Sequence, residues 1–404
     1  MASKRSAMDD DARLAAAPST QAKKRPALAS LSNSCNVPVV RPAMAAAAAQ
    51  IVGKAKALCA GDENAPSLMH REAQQLLQID ETFESPAAKA NPAAVASLER
   101  KTVQSLYISS SRSSETLLKS FKDIDLENKD PQMCGVYATE IYHHLRIREL
   151  KRRPTTNFME VVQRDINASM RGILVDWLVE VAEEYKLVPD TLYLTVSYID
   201  RYLSANVVNR QRLQLLGVSC MLIAAKYEEI CAPQVEEFCY ITDNTYSKEE
   251  VLIMERQVLN NLRFELTTPT IKTFLRRFMR AAQASYHTPS LQLEFLGNFL
   301  AELSLVEYTF LKYKPSMIAA SAVFLAKLTV DPTEDPWNGT LRHYTGYCAS
   351  ELAQCVRDIH ELQCNTKGCG LPAVREKYKQ HKFKCVATLA APSPIAAEKF
   401  EGEV

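Results

Sequence analysis

Glycine is scarce in this chain, 11 of 404 residues, which argues against Gly-rich phosphate loops and against a turn-dense all-β fold. Charge of one sign is also missing. With 48 Lys and Arg against 47 Asp and Glu, the formal net charge is +1. No overall field would draw the protein to nucleic acid or to an anionic membrane, so neither is an expected partner. No window reaches the roughly 18 consecutive apolar residues of a membrane span. The opening MASKRSAMDDDARL carries charges where a secretory leader would be apolar. The 11 cysteines include no Cys-x-x-Cys pair, and without an export signal they read as reduced thiols in cytosol or nucleus. The nearest approach to a metal cluster is His360, Cys364 and Cys369. A fourth ligand and paired cysteines are missing, so no metal and no other cofactor is expected.

Catalytic motifs are absent as well. The Gly-rich loop, strand lysine, His-Arg-Asp and Asp-Phe-Gly of a kinase do not occur, nor do G-x-S-x-G, H-E-x-x-H or a Walker loop. A binding protein is expected, not an enzyme.

What is present divides the chain. Residues 1 to about 120 are rich in Ala, Ser and Pro and nearly lack aromatics. Such a stretch cannot bury enough apolar surface to offset its ordering entropy, so 1–125 is expected to be a disordered tail. From Asp130 the texture turns helical. Ile173, Trp177, Val181 and Tyr185 recur at steps of four, with Leu174 and Leu178 alongside. Pro189 is expected to end that helix and Asp190 to cap the next, whose stripe is Leu192, Val196, Ile199 and Leu203. A third helix carries Leu213, Leu216, Cys220, Ile223 and Tyr227. Its small residues Gly217, Ser219, Ala224 and Ala225 suit the centre of a bundle. Ser247 and Glu250 form a capping box before Val251, Val258 and Leu262. Leu266–Thr270 around Pro269 marks a boundary. Beyond it, Pro315–Lys327 loosely echoes Leu213–Lys226, which favours two similar helical lobes. After His381 the return to Ala, Pro and Ser predicts a second tail, 386–404.

Two charges break the pattern. Glu255 has Val251, Leu252, Val258 and Leu259 around it on the helical wheel, and Lys226 follows Leu222 and Ile223. Charges at such sites are costly unless paired, so they are either a mutual pair, rim positions, or contacts reserved for a partner. On the Met170 helix, Met170, Ile173, Leu174 and Trp177 share a helix with Asp176, Glu180, Glu183 and Glu184. Core is the ordinary reading of such a stripe. Part of it is alternatively an apolar groove with an acidic rim, suited to a basic-apolar peptide.

Met170-Arg171-Gly172-Ile173-Leu174-Val175-Asp176-Trp177-Leu178-Val179-Glu180-Val181 resembles the signature helix of the cyclin box. Asp200-Arg201-Tyr202-Leu203, Lys226-Tyr227-Glu228-Glu229 and Tyr240–Tyr246 follow in the cyclin order, continuing to Leu311-Lys312-Tyr313 and Arg375-Glu376-Lys377-Tyr378. The resemblance covers about residues 130 to 385 and is to A-type cyclins, most closely those of plants. It implies an all-α protein: two tandem five-helix cyclin folds, 130–265 and 267–385, after an N-terminal helix near Tyr137–Arg148. It implies a regulatory subunit of a cyclin-dependent kinase, acting from S phase to mitosis. Lys226 and Glu255 match the family's polar kinase contacts, and Phe264, Leu266, Tyr137 and Ile141 its apolar ones. Met170, Ile173, Leu174, Trp177, Leu213 and Gln214 match the docking patch for Arg-x-Leu substrates and inhibitors, with Glu180 taking the arginine. Gly172 replaces the family's usual alanine. In the tail, Arg25, Leu28 and Asn33 fit a destruction box, R-x-x-L-x-x-x-x-N, read by a ubiquitin ligase. Lys23-Lys24-Arg25 is a candidate for import into the nucleus, the expected location, and Ser85-Pro86 a candidate kinase site.

Overall fold

In the computed structural model the described residues are 121–125, 130–365 and 370–401. Among them the regular elements are thirteen α-helices and short 3-10 turns. Helix α1 (Gly135–Arg148) precedes a single turn, α2 (Phe158–Val161). The first lobe is α3 (Ala168–Glu184), α4 (Pro189–Leu203), α5 (Leu213–Glu228), α6 (Val235–Ile241) and α7 (Lys248–Asn261). The second is α8 (Ile271–Ala282), α9 (Leu291–Val306), α10 (Pro315–Val330), α11 (Gly339–Thr345) and α12 (Ala349–Cys364), followed by α13 (Ala373–Tyr378).

Each lobe is built round one helix that is apolar on every side. In α5 all residues from Leu213 to Ala225 are buried, and α3, α4 and α7 pack on it. Its counterpart α10 buries all but one of the residues from Ser316 to Leu328 among α8, α9 and α12. A helix without a polar face belongs in the middle of a bundle, and small residues let its neighbours close in. An ideal Cβ on Gly217 would stand 2.8 Å from Leu174 Cδ1 of α3.

The expected capping box at Ser247 is formed in both directions. The expected cap at Asp190 is not. Helix α3 stops at Glu184, and Pro189 opens α4 with Val188 before it. Proline has no N–H to leave unsatisfied there, so Asp190 falls in the first turn and pairs with Arg276 of α8 at 2.6 Å. Tyr227, placed by periodicity in the α5 stripe, is 45% exposed.

Both tail boundaries move. Residues 121–125 lie against the second lobe, where the Asp125 carboxylate pairs with Arg277. At the other end Val386 and Phe400 are buried, and Phe400 stacks on Phe324 of α10 with ring centres 5.1 Å apart. The stretch 386–401 is therefore part of the second lobe. Its Ala/Pro-rich composition hid the one aromatic anchor.

Candidate functional site: the exposed end of one first-lobe helix and the outer faces of two others

The signature helix α3 starts at Asn167, whose side chain accepts the Met170 N–H at 3.0 Å. Its outward stripe is Met170, Ile173, Trp177 and Glu180, all half-exposed. The other three residues assigned to the docking patch lie inside. Leu174, Leu213 and Gln214 are 0%, 1% and 3% exposed, so they support the patch from beneath. The Gln214 side-chain oxygen is buried with no hydrogen-bond donor, a costly state for an amide in a protein interior.

The acidic rim is narrower than the sequence suggested. Asp176 is 2% exposed and accepts the Ala373 N–H at 2.8 Å, at the start of α13. Glu183 pairs with Lys377 and Lys382. Glu180 is half-exposed and Glu184 exposed on the same helix.

Sequence reasoning missed the role of Arg171 and Asp200, although it quoted both as motif residues. Arg171 is 2% exposed. It donates to both carboxylate oxygens of Asp200 at 2.7 Å, and to the carbonyls of Leu305 and Val306 at the end of α9. Burial works against its charge, and Asp200 more than offsets this, so the guanidinium stays firmly protonated. The signature helix is thereby bolted to α4 and to the second lobe. A charge inside an apolar run was the available signal.

Lys226 and Glu255 do form a pair. Lys226 Nζ stands 2.7 Å from Glu255 Oε1, with the lysine side chain 51% exposed and the glutamate 12%. Lys226 lies one residue past the buried run of α5. Its echo in the second lobe, Lys327, is 4% exposed and faces Glu334 at 3.8 Å. The same helix end is thus open in one lobe and closed in the other. Exposed apolar groups lie close by along the chain: Tyr227 and Ile230 at the end of α5, Leu252 and Ile253 on α7, and Phe264 just beyond it. Phe264 is 66% exposed, and it and Arg263 hold left-handed backbone at φ 55° and 53°. Such geometry costs a non-glycine residue about 1–2 kcal/mol, and residues held this way cluster at functional sites. Leu266 is half-buried, with its carbonyl accepting the Tyr198 hydroxyl at 3.2 Å. Tyr137 and Ile141 stand one turn apart on α1, both exposed.

His360 and Cys364 are neighbours, with Sγ 3.5 Å from Nε2. Cys369 lies outside the described residues, and among those no group of three metal-capable side chains occurs. Arg25, Leu28, Asn33, the basic run and Ser85 also lie outside the described residues.

Two family models match the two lobes: the cyclin N-terminal domain over residues 140–267 and the cyclin C-terminal domain over 269–392. Cyclin-A1-1 of Arabidopsis thaliana is 56% identical over 348 residues, covering 80% of this chain and 76% of the relative. Cyclin-A2-1 of Oryza sativa subsp. japonica is 62% identical over 272 residues, covering 67% and 56%. The chain spans 62% of the rice Cyclin-A1-1. The fold also matches a viral cyclin from herpesvirus saimiri at TM-score 0.50 and 22% identity, over 55% of this chain and 96% of the other. The chain belongs to the cyclin family, alongside the A-type cyclins of plants, and is a regulatory protein and not an enzyme.

Proposed function

We propose that the chain binds and activates a cyclin-dependent kinase through the open end of α5 and the middle of α7 beside it. The observation that carries this reading is the Lys226–Glu255 pair, exposed at its lysine end, with exposed apolar side chains near it in sequence. The lysine of this pair stands in solvent, where an ion pair is weakened by screening, and from there it can meet a partner. Lys226 has ammonium donors and Glu255 carboxylate acceptors for the polar ends of a kinase helix, while Tyr227, Ile230 and Phe264 supply apolar contact. Seating that helix would hold the kinase's ATP-pairing glutamate inward, a population shift driven by differential binding. No chemistry is required of the cyclin.

The outer stripe of α3 is proposed to dock Arg-x-Leu segments of substrates and inhibitors. Met170, Ile173 and Trp177 would take the leucine and Glu180 the arginine, as a charge-assisted pair. Control from S phase to mitosis, a nuclear location, and destruction through Arg25, Leu28 and Asn33 by a ubiquitin ligase belong to the same reading. The last two rest on the sequence alone.

The test is purification of the chain from dividing cells with a histone kinase assay. A kinase should co-purify, and Lys226→Ala with Glu255→Ala should abolish both binding and activity. Retained binding and activity would overturn the mechanism. Trp177→Ala should weaken phosphorylation of Arg-x-Leu substrates while sparing a short peptide that lacks the motif. Equal loss on both substrates would make Trp177 structural.

A further inference from the structure

Helix α1 carries Tyr137 and Ile141, yet only Ala138 among its fourteen residues is buried. A helix this short is marginal by itself in water, and its inner apolar stripe is narrow: buried Ala138, with Tyr142 and Leu145 packed against the core. Added to that stripe is a row of polar and aromatic contacts at Tyr142, Arg146 and Glu149, spaced to share one face. The Arg146 guanidinium lies 4.4 Å from the Tyr347 ring centre and donates to the Thr345 carbonyl at 3.0 Å. Glu149 accepts the Ser316 N–H and hydroxyl. Tyr142 lies under Arg277 of α8, its ring centre 4.4 Å from the guanidinium carbon.

Arg277 is the centre of the first of these contacts. It is 4% exposed and also stands over Tyr344 of α11, at 4.9 Å. Its charge is met by Asp125, with Nη1 to Oδ1 at 2.9 Å and Nη2 to Oδ2 at 2.7 Å. The residues just before Asp125 are fixed in turn, and with it form a strap along the second lobe. The Lys122 N–H donates to Thr340 Oγ1, and the Ile124 N–H to the Tyr344 hydroxyl. That hydroxyl donates to Asp123, and Arg280 donates to the Ile124 carbonyl. Phe121 stacks on His343 with ring centres 3.9 Å apart. The strap also touches α1 directly, since a Cβ on Gly135 would stand 2.9 Å from the Asp125 carbonyl oxygen. It is wedged between the first turn of α1 and the second lobe.

We infer that Asp125 is a positioning residue for kinase recognition: through Arg277 and Tyr142 it sets the direction in which α1 presents Tyr137 and Ile141. This rests on the kinase-binding reading above, and it extends the working surface into the segment that sequence composition assigned to the tail. Losing the carboxylate leaves Arg277 buried without its charge partner. The guanidinium then turns toward water and releases Tyr142, and α1 samples other orientations. If the competent orientation becomes a minority, the apparent affinity falls by that fraction.

The experiment compares the full chain with Asp125→Asn and Asp125→Glu. In the free protein, amide hydrogen exchange should rise across 136–148 in Asp125→Asn and stay at the wild-type level in α5. Asp125→Glu should restore most of the protection. This arm involves no kinase, so it decides the strap even if the kinase reading fails. Against a purified recombinant cyclin-dependent kinase, Asp125→Asn should bind about tenfold more weakly. In a Tyr137→Ala, Ile141→Ala background the same change should add little, because the contacts it positions are gone. Phe121→Ala, which removes a stack at the strap's outer end, should act in the same direction by less, and it serves if Asp125→Asn fails to fold. Unchanged exchange in α1, or a loss of affinity that adds in full to the double variant, would overturn the inference.

Discussion

Two glycines show how far a single residue could be read in advance. Gly217 was noted in the sequence as one of several small residues permitting close approach, and the structure agrees. A methyl group there would meet Leu174 Cδ1 at 2.8 Å and Cγ at 3.4 Å, and Leu174 is fully buried, so its side chain would have to shift within the core. Gly217→Ala is expected to cost about 1–3 kcal/mol by overpacking, measured by urea unfolding. Gly172 was the departure from the family's alanine and left the shape of the docking patch open. Its missing side chain faces the other way, toward Leu371 Cδ1 at 3.1 Å and the Val306 carbonyl at 3.4 Å. Alanine there would gain about 1 kcal/mol of helix propensity, partly offset as the Leu371 tip shifts. Gly172→Ala should therefore change stability by less than about 1 kcal/mol and leave Arg-x-Leu peptide affinity unaltered. A large change in that affinity would place Gly172 in the patch. Periodicity reveals that a glycine interrupts a stripe, but the side of the helix it serves depends on what packs there from far along the chain, here Val306 and Leu371.

At the scale of the element, central helices were legible and clamped ones were not. Helices α5 and α10 announce themselves by apolar, small-residue sequences, because such a helix has one place to go. The capping box at Ser247 was equally readable, since its partners are three residues apart. Helix α1 offered no such pattern, and only the resemblance placed it. Its lower end depends on Glu149, 2% exposed. Burial raises the pKa of that carboxyl, against Arg146 and the Ser316 hydrogen bonds, which lower it. A raised folded pKa means that the stabilising contribution is complete below the unfolded value, near 4.3, and declines as pH climbs through the folded value. Glu149→Gln keeps an acceptor for the Ser316 N–H and has no charge to desolvate. Its stability relative to the wild type should rise as pH is taken from about 4 to about 7. Thermal unfolding across that range is the measurement, and a difference independent of pH would show that Glu149 titrates normally.

In the whole molecule, two lobes were foreseen from an internal echo, but what joins them was not. The joining groups are charged residues inside apolar motifs, and each meets its partner far along the chain. Arg171 reaches Leu305, Asp176 reaches Ala373, and Glu302 takes both Lys377 and Tyr378. A docking patch on the outside of α3 requires a rigid inside, and these contacts supply it. The helix proposed to offer Trp177 to a peptide is held from behind by Arg171 and Asp176. Asp200→Asn would leave Arg171 buried with neutral acceptors only, a change expected to destabilise by about 3–5 kcal/mol. Replacing both members, Arg171→Met with Asp200→Leu, removes the uncompensated charge and should recover much of that loss within the first lobe. It cannot restore the hydrogen bonds to Leu305 and Val306, so hydrogen exchange at the end of α9 should remain raised in the double variant. If exchange there returns to the wild-type level, the pair stabilises the first lobe alone, and the lobes are held by α13 and its contacts with Asp176 and Glu302.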